Sequence, residues 1–106
     1  MDRSSLDGRA EDLTVLRLTG EIDLANADDV RDRIMRAGSP GPLVLDLDGL
    51  GYIDSAGIRV LDEVADTFAT NRWPLRIVAA PQAVCRRVLE IGAPGLPLHA
   101  SADRPD

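Results

Sequence analysis

One stretch, residues 43–68, constrains the fold more than any other part of the chain, because an apolar strand, a glycine-containing turn and an amphipathic helix follow one another in it. Residues 43–47 are almost continuously apolar, which is typical of a central strand covered on both faces. After the turn, apolar residues recur at helical spacing and form one face, which consists of Ile58, Leu61, Ala65 and Phe68, widened by Val60 and Val64. A strand that leads into such a helix predicts an α/β fold.

The rest of the chain repeats this alternation. Strands are predicted at residues 13–19, 43–47, 75–79 and 96–98, and helices at residues 27–36, after Ser55 and from Pro81 onward. Residues 20–23 are interpreted as the way out of the first strand, and the side chain of Asn26 is expected to accept hydrogen bonds from the first amides of the first helix. The core face of the third helix is predicted to consist of Val84, Val88 and Ile91.

Composition excludes several classes of function. The 106-residue chain contains no lysine, which argues against phosphate-loop NTPases, Schiff-base enzymes and receiver domains. A formal net charge of -6 argues against nucleic-acid binding and favours a basic protein partner. With one cysteine and one histidine, the chain has no disulfide framework or thiolate metal cluster, and we expect no metal site. The sequence has neither the layout of a signal peptide nor a run long enough to span a membrane, so a cytoplasmic location is expected.

Ser55 lies at the junction of turn and helix, where a serine can be a helix cap or a site of chemistry. A hydrolase nucleophile is disfavoured, because Gly-x-Ser-x-Gly is absent and the only histidine, His99, lies near the end of the chain. Glu21 and Asp23 are interpreted as loop acids on a partner surface rather than a catalytic pair, since no base, nucleophile or metal ligand accompanies them. We therefore assign no catalytic residue.

Cys85 and Trp73 are the only cysteine and the only tryptophan of the chain, and each has a structural and a functional interpretation. Cys85 is expected to be a small core residue rather than a redox sensor, because Leu89 follows it by one helical turn. Trp73, just before Pro74, either packs over a helix end or contacts a partner. The sequence leaves both interpretations of Trp73 open.

Two segments together carry a family resemblance. Residues 43–57 read Leu-Val-Leu-Asp-Leu-Asp-Gly-Leu-Gly-Tyr-Ile-Asp-Ser-Ala-Gly, and residues 20–23 before them read Gly-Glu-Ile-Asp. This pattern resembles the STAS domain, the sulfate transporter and anti-sigma factor antagonist family. It resembles in particular the stand-alone anti-sigma factor antagonists of bacterial sporulation and stress regulons. The resemblance implies one STAS domain over residues 1–106, with a mixed sheet of four to five strands and helices packed mainly on one face. Residues 1–12 are expected to form a weakly ordered arm or an edge strand, and residues 99–106 a polar tail.

The resemblance also implies a function. Ser55 matches the serine that the anti-sigma factor, itself a serine kinase, phosphorylates and that a phosphatase restores; ATP and magnesium belong to the kinase, so no cofactor is expected on this chain. Ala56 departs from the Ser or Thr often found there. The unphosphorylated chain is expected to bind its partner through one surface. That surface is expected to include Glu21, Asp23, Asn26, Asp54, Ala56, Gly57, Arg59, Asp62 and Glu63. Two alternatives stay open: a scaffolding module that is not phosphorylated, and a small domain that binds a nucleotide or lipid.

Overall fold

The computed structural model describes residues 13–100, which form one α/β domain. Its strands are β1 (Thr14–Arg17), β2 (Gly20–Ile22), β3 (Leu43–Asp46), β4 (Leu50–Ile53), β5 (Leu75–Val78) and β6 (Leu98–His99). Its helices are α1 (Ala27–Gly38), α2 (Ser55–Asn71) and α3 (Val84–Gly92). The predicted alternation of strands and helices is confirmed. The predicted N-terminal arm lies outside the described residues, and His99, which was expected to begin the polar tail, lies in β6.

The strands form two sheets. A four-stranded sheet has the order β1-β3-β5-β6, and a two-stranded sheet joins β2 to β4. All pairings among the described residues are parallel, whereas the sequence was interpreted as a mixed sheet. The reason is that a helix separates each strand from its next parallel partner along the chain, and such a crossover brings the chain back in the same direction.

Two short strands were missed by the sequence interpretation. Residues 20–22 and 50–53 were assigned to a loop and a turn, but they pair with each other as β2 and β4. Gly20 opens β2 with a φ of +82°, a conformation that side-chain-bearing residues rarely adopt. The pairing joins the segment before residues 23–26 to the segment just before the functional candidate, Ser55, in one small sheet.

All three helices contribute to a single hydrophobic core. Ile34 of α1, Phe68 of α2 and Leu89 of α3 are each at most 1% exposed and pack in one cluster with the strands. Every residue of β3 is buried, which confirms its predicted place as a central strand. The helix predicted after the turn is α2, which begins at Ser55 and buries the face containing Leu61 and Phe68.

The predicted core face of α3 is wrong. Val84, Val88 and Ile91 are 67%, 41% and 72% exposed, whereas Cys85 and Leu89 point into the core. The two apolar stripes are offset by one residue, about 100° around the helix axis, and sequence periodicity does not choose between them. Pro81 lies in the turn before α3 rather than in its first turn.

Candidate functional site

Ser55 is the first residue of α2, and its side chain is exposed. Its hydroxyl makes no hydrogen bond with any part of the chain that the structure describes. No described side chain accepts a hydrogen bond from it, as an activating base would. What the geometry offers is an accessible alcohol at the start of a helix, which a separate enzyme can reach.

Asp54, not Ser55, caps α2. One oxygen of its carboxylate, Oδ1, accepts hydrogen bonds from the amides of Ala56 at 2.9 Å and Gly57 at 3.1 Å. This overturns the interpretation of Ser55 as the helix cap. The carboxylate of Asp54 thereby occupies two of the amides that are free at the start of a helix.

The second carboxylate oxygen of Asp54 holds the loop between β2 and α1. Its Oδ2 accepts a hydrogen bond from the amide of Leu24 at 3.3 Å, and the amide of Asp54 donates to the carbonyl of Ile22 at 3.2 Å. The loop that contains Asp23 and Asn26 is therefore tied to the start of α2. The structure thus brings Glu21, Asp23 and Asn26, which were predicted to belong to the partner surface, close to the start of α2.

Within that loop, Asp23 and Asn26 stabilise the turn. Oδ1 of Asp23 accepts from the amides of Ala25 at 3.0 Å and Asn26 at 3.3 Å. Oδ1 of Asn26 accepts from the amide of Asp23 at 2.9 Å, and its Nδ2 donates to the carbonyl of Glu21 at 2.9 Å. The expectation that the Asn26 side chain caps α1 is wrong, because both ends of its amide group face back into the loop.

Gly57 lies where α2 crosses close to β2 and β4. A Cβ atom on this residue would lie 2.6 Å from Cγ1 of Ile53 and 2.9 Å from Cγ2 of Ile22, both buried. A side chain at position 57 would push α2 away from the two strands. The glycine therefore determines how closely Ser55 approaches the β2–α1 loop.

The remaining predicted partner residues separate into two groups. Arg59 and Glu63 line a depression of about 200 Å³ between α1 and α2, together with Leu24 and the half-buried Ala56. Glu63 forms an ion pair with Arg31 of α1 at 3.6 Å. Asp62 does not lie with them; it lines a different groove on the opposite flank of α2.

Two exposed apolar residues next to Ser55 were missed by the sequence analysis. Leu24 is 81% exposed in the β2–α1 loop, and Tyr52 is 51% exposed on β4, where it pairs with Glu21 of β2. The available signal was an apolar residue in an otherwise polar loop and the only tyrosine of the chain. Neither could be placed beside Ser55 before the pairing of β2 with β4 was known.

Residues 13–100 contain neither a candidate metal site nor a membrane-spanning helix. No group of three or more His, Cys, Asp and Glu side chains is arranged to hold a metal ion there, and no helix within this range is long and apolar enough to cross a membrane. Cys85 is buried, as expected, and its thiol donates to the carbonyl of Leu47 at 3.4 Å. Burial raises the pKa of the Cys85 thiol, so the reactive thiolate is disfavoured.

Comparison with known proteins gives a consistent result. The STAS domain family matches residues 7–94. The anti-sigma-F factor antagonist RsfA of Mycobacterium tuberculosis is 29% identical over 94 residues, which cover 84% of this chain and 73% of RsfA, and it matches equally in two strains.

Two solved structures share the fold. The anti-sigma factor antagonist SpoIIAA, in its unphosphorylated form, aligns with a TM-score of 0.67 at 20% identity, over 86% of this chain and 82% of SpoIIAA. The STAS domain of a SulP transporter from Vibrio cholerae aligns with a TM-score of 0.54 at 21% identity, over 87% of this chain and 77% of that domain. At these identities the two structures establish the fold alone.

Proposed function

Because this chain belongs to the STAS domain family, we propose that it is an anti-sigma factor antagonist whose unphosphorylated form binds an anti-sigma factor kinase and thereby releases a sigma factor. Phosphorylation of Ser55 ends this binding. One observation carries the proposal. Asp54 caps the helix, and the hydroxyl of Ser55 is therefore left exposed, with no hydrogen-bond partner in the described chain. The match to RsfA, named an anti-sigma-F factor antagonist, supports the same function.

The binding surface is built around Ser55. Leu24 of the β2–α1 loop and Tyr52 of β4 supply exposed apolar area, and Glu21 adds negative charge. Apolar anchors surrounded by charge are typical of protein interfaces, in which a few large side chains carry most of the binding energy. Since the chain as a whole has a charge of -6, a partner of net positive charge is favoured by long-range attraction.

Phosphorylation changes the charge of this surface without requiring a change of fold. A phosphate on Ser55 adds about -1.5 to -2 charges at neutral pH. The amides of Ala56 and Gly57 are already bonded to Asp54, so they are not available to the new anion. The exposed guanidinium of Arg59 lies one helical turn further along α2 and is the nearest cation in sequence. The phosphate therefore stands largely exposed, next to a carboxylate.

A bound partner is sensitive to such a change. Burying an unpaired phosphate beside Asp54, or placing it opposite like charge, costs several kcal/mol at an interface. A penalty of about 3 to 4 kcal/mol weakens binding about a hundredfold to a thousandfold. This is enough to dissociate a regulatory complex at ordinary concentrations. The domain itself stays folded, because the hydroxyl of Ser55 contributes no hydrogen bond to the described chain.

In this proposal the chain is a substrate and a switch rather than an enzyme. The kinase supplies ATP and magnesium, and a serine phosphatase restores the free hydroxyl. Catalytic groups are contributed by these partners, and this chain contributes the accessible Ser55 and the surface that places it.

The test uses the cognate anti-sigma factor kinase. The purified chain is incubated with that kinase, ATP and magnesium, and the phosphate is located by mass spectrometry. The expected result is one phosphate, on Ser55, and none on a Ser55→Ala variant. Label on another residue, or no label with a kinase that is shown to be active, contradicts the proposal.

A binding measurement completes the test. Ser55→Asp should weaken binding to the kinase, and Ser55→Ala should leave it nearly unchanged, since alanine adds no charge. Thermal melts of both variants should match that of the parent chain. A Ser55→Asp variant that binds as tightly as the parent would show that charge at this position is not the switch.

A further inference from the structure

A groove of about 500 Å³ lies along α2 from Asp62 onward, on the flank of the helix opposite the β2–α1 loop. Residues 95–97 form its other wall. Its floor is apolar. Phe68, Ile77 and Leu96 are buried beneath it, and the half-buried Trp73 packs edge-on against Phe68 with ring centroids 5.3 Å apart. This resolves the two interpretations of Trp73 in part: it packs over the end of α2, and it also lines an open groove.

The rim of the groove is acidic. Asp62 and Asp66 stand one helical turn apart on α2, both exposed, and they are the only ionisable side chains among the lining residues. Neither forms an ion pair or a side-chain hydrogen bond within the described chain. By contrast, Glu63 of α2 pairs with Arg31 and Glu90 of α3 pairs with Arg86. An apolar floor beside two unpaired carboxylates fits a ligand that is apolar on one side and cationic on the other.

The wall of the groove fits a helix. Ala65 and Ala69, one turn apart on the same wall as the two acids, present small side chains that allow another helix to approach closely. From Asp62 to Ala69 the wall rises about 10 Å, which is about two turns of a partner helix. Recognition of an amphipathic helix in an apolar groove uses this kind of surface.

Charge selects among the possible occupants. A second copy of this chain would bring a charge of -6 to an acidic rim. The terminal segments of the chain are also acidic: residues 1–12 hold four acids and two arginines, and residues 101–106 hold two acids and one arginine. We infer that the groove binds a basic amphipathic helix of a partner protein, with apolar side chains on Trp73 and Leu96 and lysine or arginine on Asp62 and Asp66.

This inference does not depend on the proposed function. Asp62 lies seven residues beyond Ser55 on α2, about 10 Å along the helix, and the rest of the groove lies further away. The groove and the Ser55 surface therefore have room for different partners at the same time. Phosphorylation of Ser55 and occupation of the groove are separate events.

The test uses a synthetic helix of two Leu-Lys-Lys-Leu-Leu-Lys-Leu repeats as the probe. The single tryptophan of the chain lies in the groove, so its fluorescence reports occupation directly. We expect a saturable blue shift, with amide NMR shifts concentrated at residues 62–73 and 95–97. The same peptide with glutamate in place of lysine should not bind.

Matched variants separate the groove from general charge attraction. Asp62→Asn with Asp66→Asn should weaken the probe about fivefold, as expected for two exposed ion pairs. Asp29→Asn with Asp32→Asn on α1 removes the same charge outside the groove and should change the affinity less than twofold. Ala69→Arg, which fills the groove and adds a cation, should abolish binding.

Three results would overturn the inference: no saturable binding, equal weakening by the two double variants, or NMR shifts centred on Ser55. The Asp62→Asn and Asp66→Asn double variant should still be phosphorylated on Ser55 by the kinase. A failure of the groove test and a failure of the phosphorylation test are therefore distinguishable.

Discussion

The amide of Leu24 donates a hydrogen bond to Oδ2 of Asp54 at 3.3 Å, across 30 residues of sequence. The same carboxylate caps α2 through its other oxygen. One side chain therefore joins the β2–α1 loop to the helix that presents Ser55. This carboxylate therefore determines where Leu24, the most exposed apolar residue of this face, lies relative to Ser55, the proposed phosphorylation site.

Replacement of Asp54 should destabilise the domain, whereas replacement of Ser55 should not. Asp54→Ala removes the cap and the link to Leu24, and we expect a loss of about 1 to 2 kcal/mol in the free energy of unfolding. Ser55→Ala removes no hydrogen bond and should stay within about 0.5 kcal/mol of the parent. Urea unfolding followed by circular dichroism measures both. Equal losses for the two variants would contradict the assignment of the cap.

A methyl group at position 57 should cost more than one at position 92. Gly57→Ala places a Cβ atom against the buried Ile22 and Ile53, and overpacking of this kind costs about 1 to 3 kcal/mol, which exceeds the gain in helix propensity. Gly92→Ala is the matched control, because its Cβ would meet only the terminal methyl of Ile58, at 2.7 Å, which can move aside. Denaturant unfolding should therefore show a clear loss for Gly57→Ala and little change for Gly92→Ala.

Leu24 should contribute to binding and not to stability. Truncation of a leucine that a partner buries loses about 1.5 kcal/mol or more, so Leu24→Ala should weaken binding to the proposed kinase about tenfold. The leucine is 81% exposed in the free chain, so its melting temperature should not change. Ile91→Ala, at a 72% exposed position on α3, is the control and should bind normally. Calorimetric titration of the kinase with both variants decides between these outcomes.

The thiol of Cys85 should be unreactive in the folded chain. The side chain is buried, and burial raises the pKa of the thiol, so the thiolate that attacks disulfide reagents is scarce. An acid whose pKa is raised on folding stabilises the folded state only below the ordinary thiol pKa, and this stability is lost as the pH rises above it. Reaction with an aromatic disulfide reagent at neutral pH should be slow in buffer and fast in denaturant. Rapid reaction of the native chain would place Cys85 at the surface.

Local sequence patterns were sufficient where one apolar stripe was much stronger than its alternatives. The continuous run of β3 could only be a buried strand, and the long face of α2 from Ile58 to Phe68 predicted that helix and its position after Ser55. In α3, two stripes competed. The choice of Cys85 and Leu89 over Val84 and Val88 depends on contacts with the rest of the core, such as the Cys85 thiol on Leu47.

The sequence by itself determined the α/β class, the resemblance of residues 20–23 and 43–57 to the STAS domain, and the position of Ser55 at the start of a helix. Only the tertiary structure decided which residue caps that helix and what lies around it. Asp54 and Ser55 are both good caps, and β2 and β4 are too short to be recognised alone, because each is stabilised by pairing with a strand about 30 residues away. That pairing brings the β2–α1 loop, with Leu24, against the start of α2, where the side chain of Ser55 is exposed.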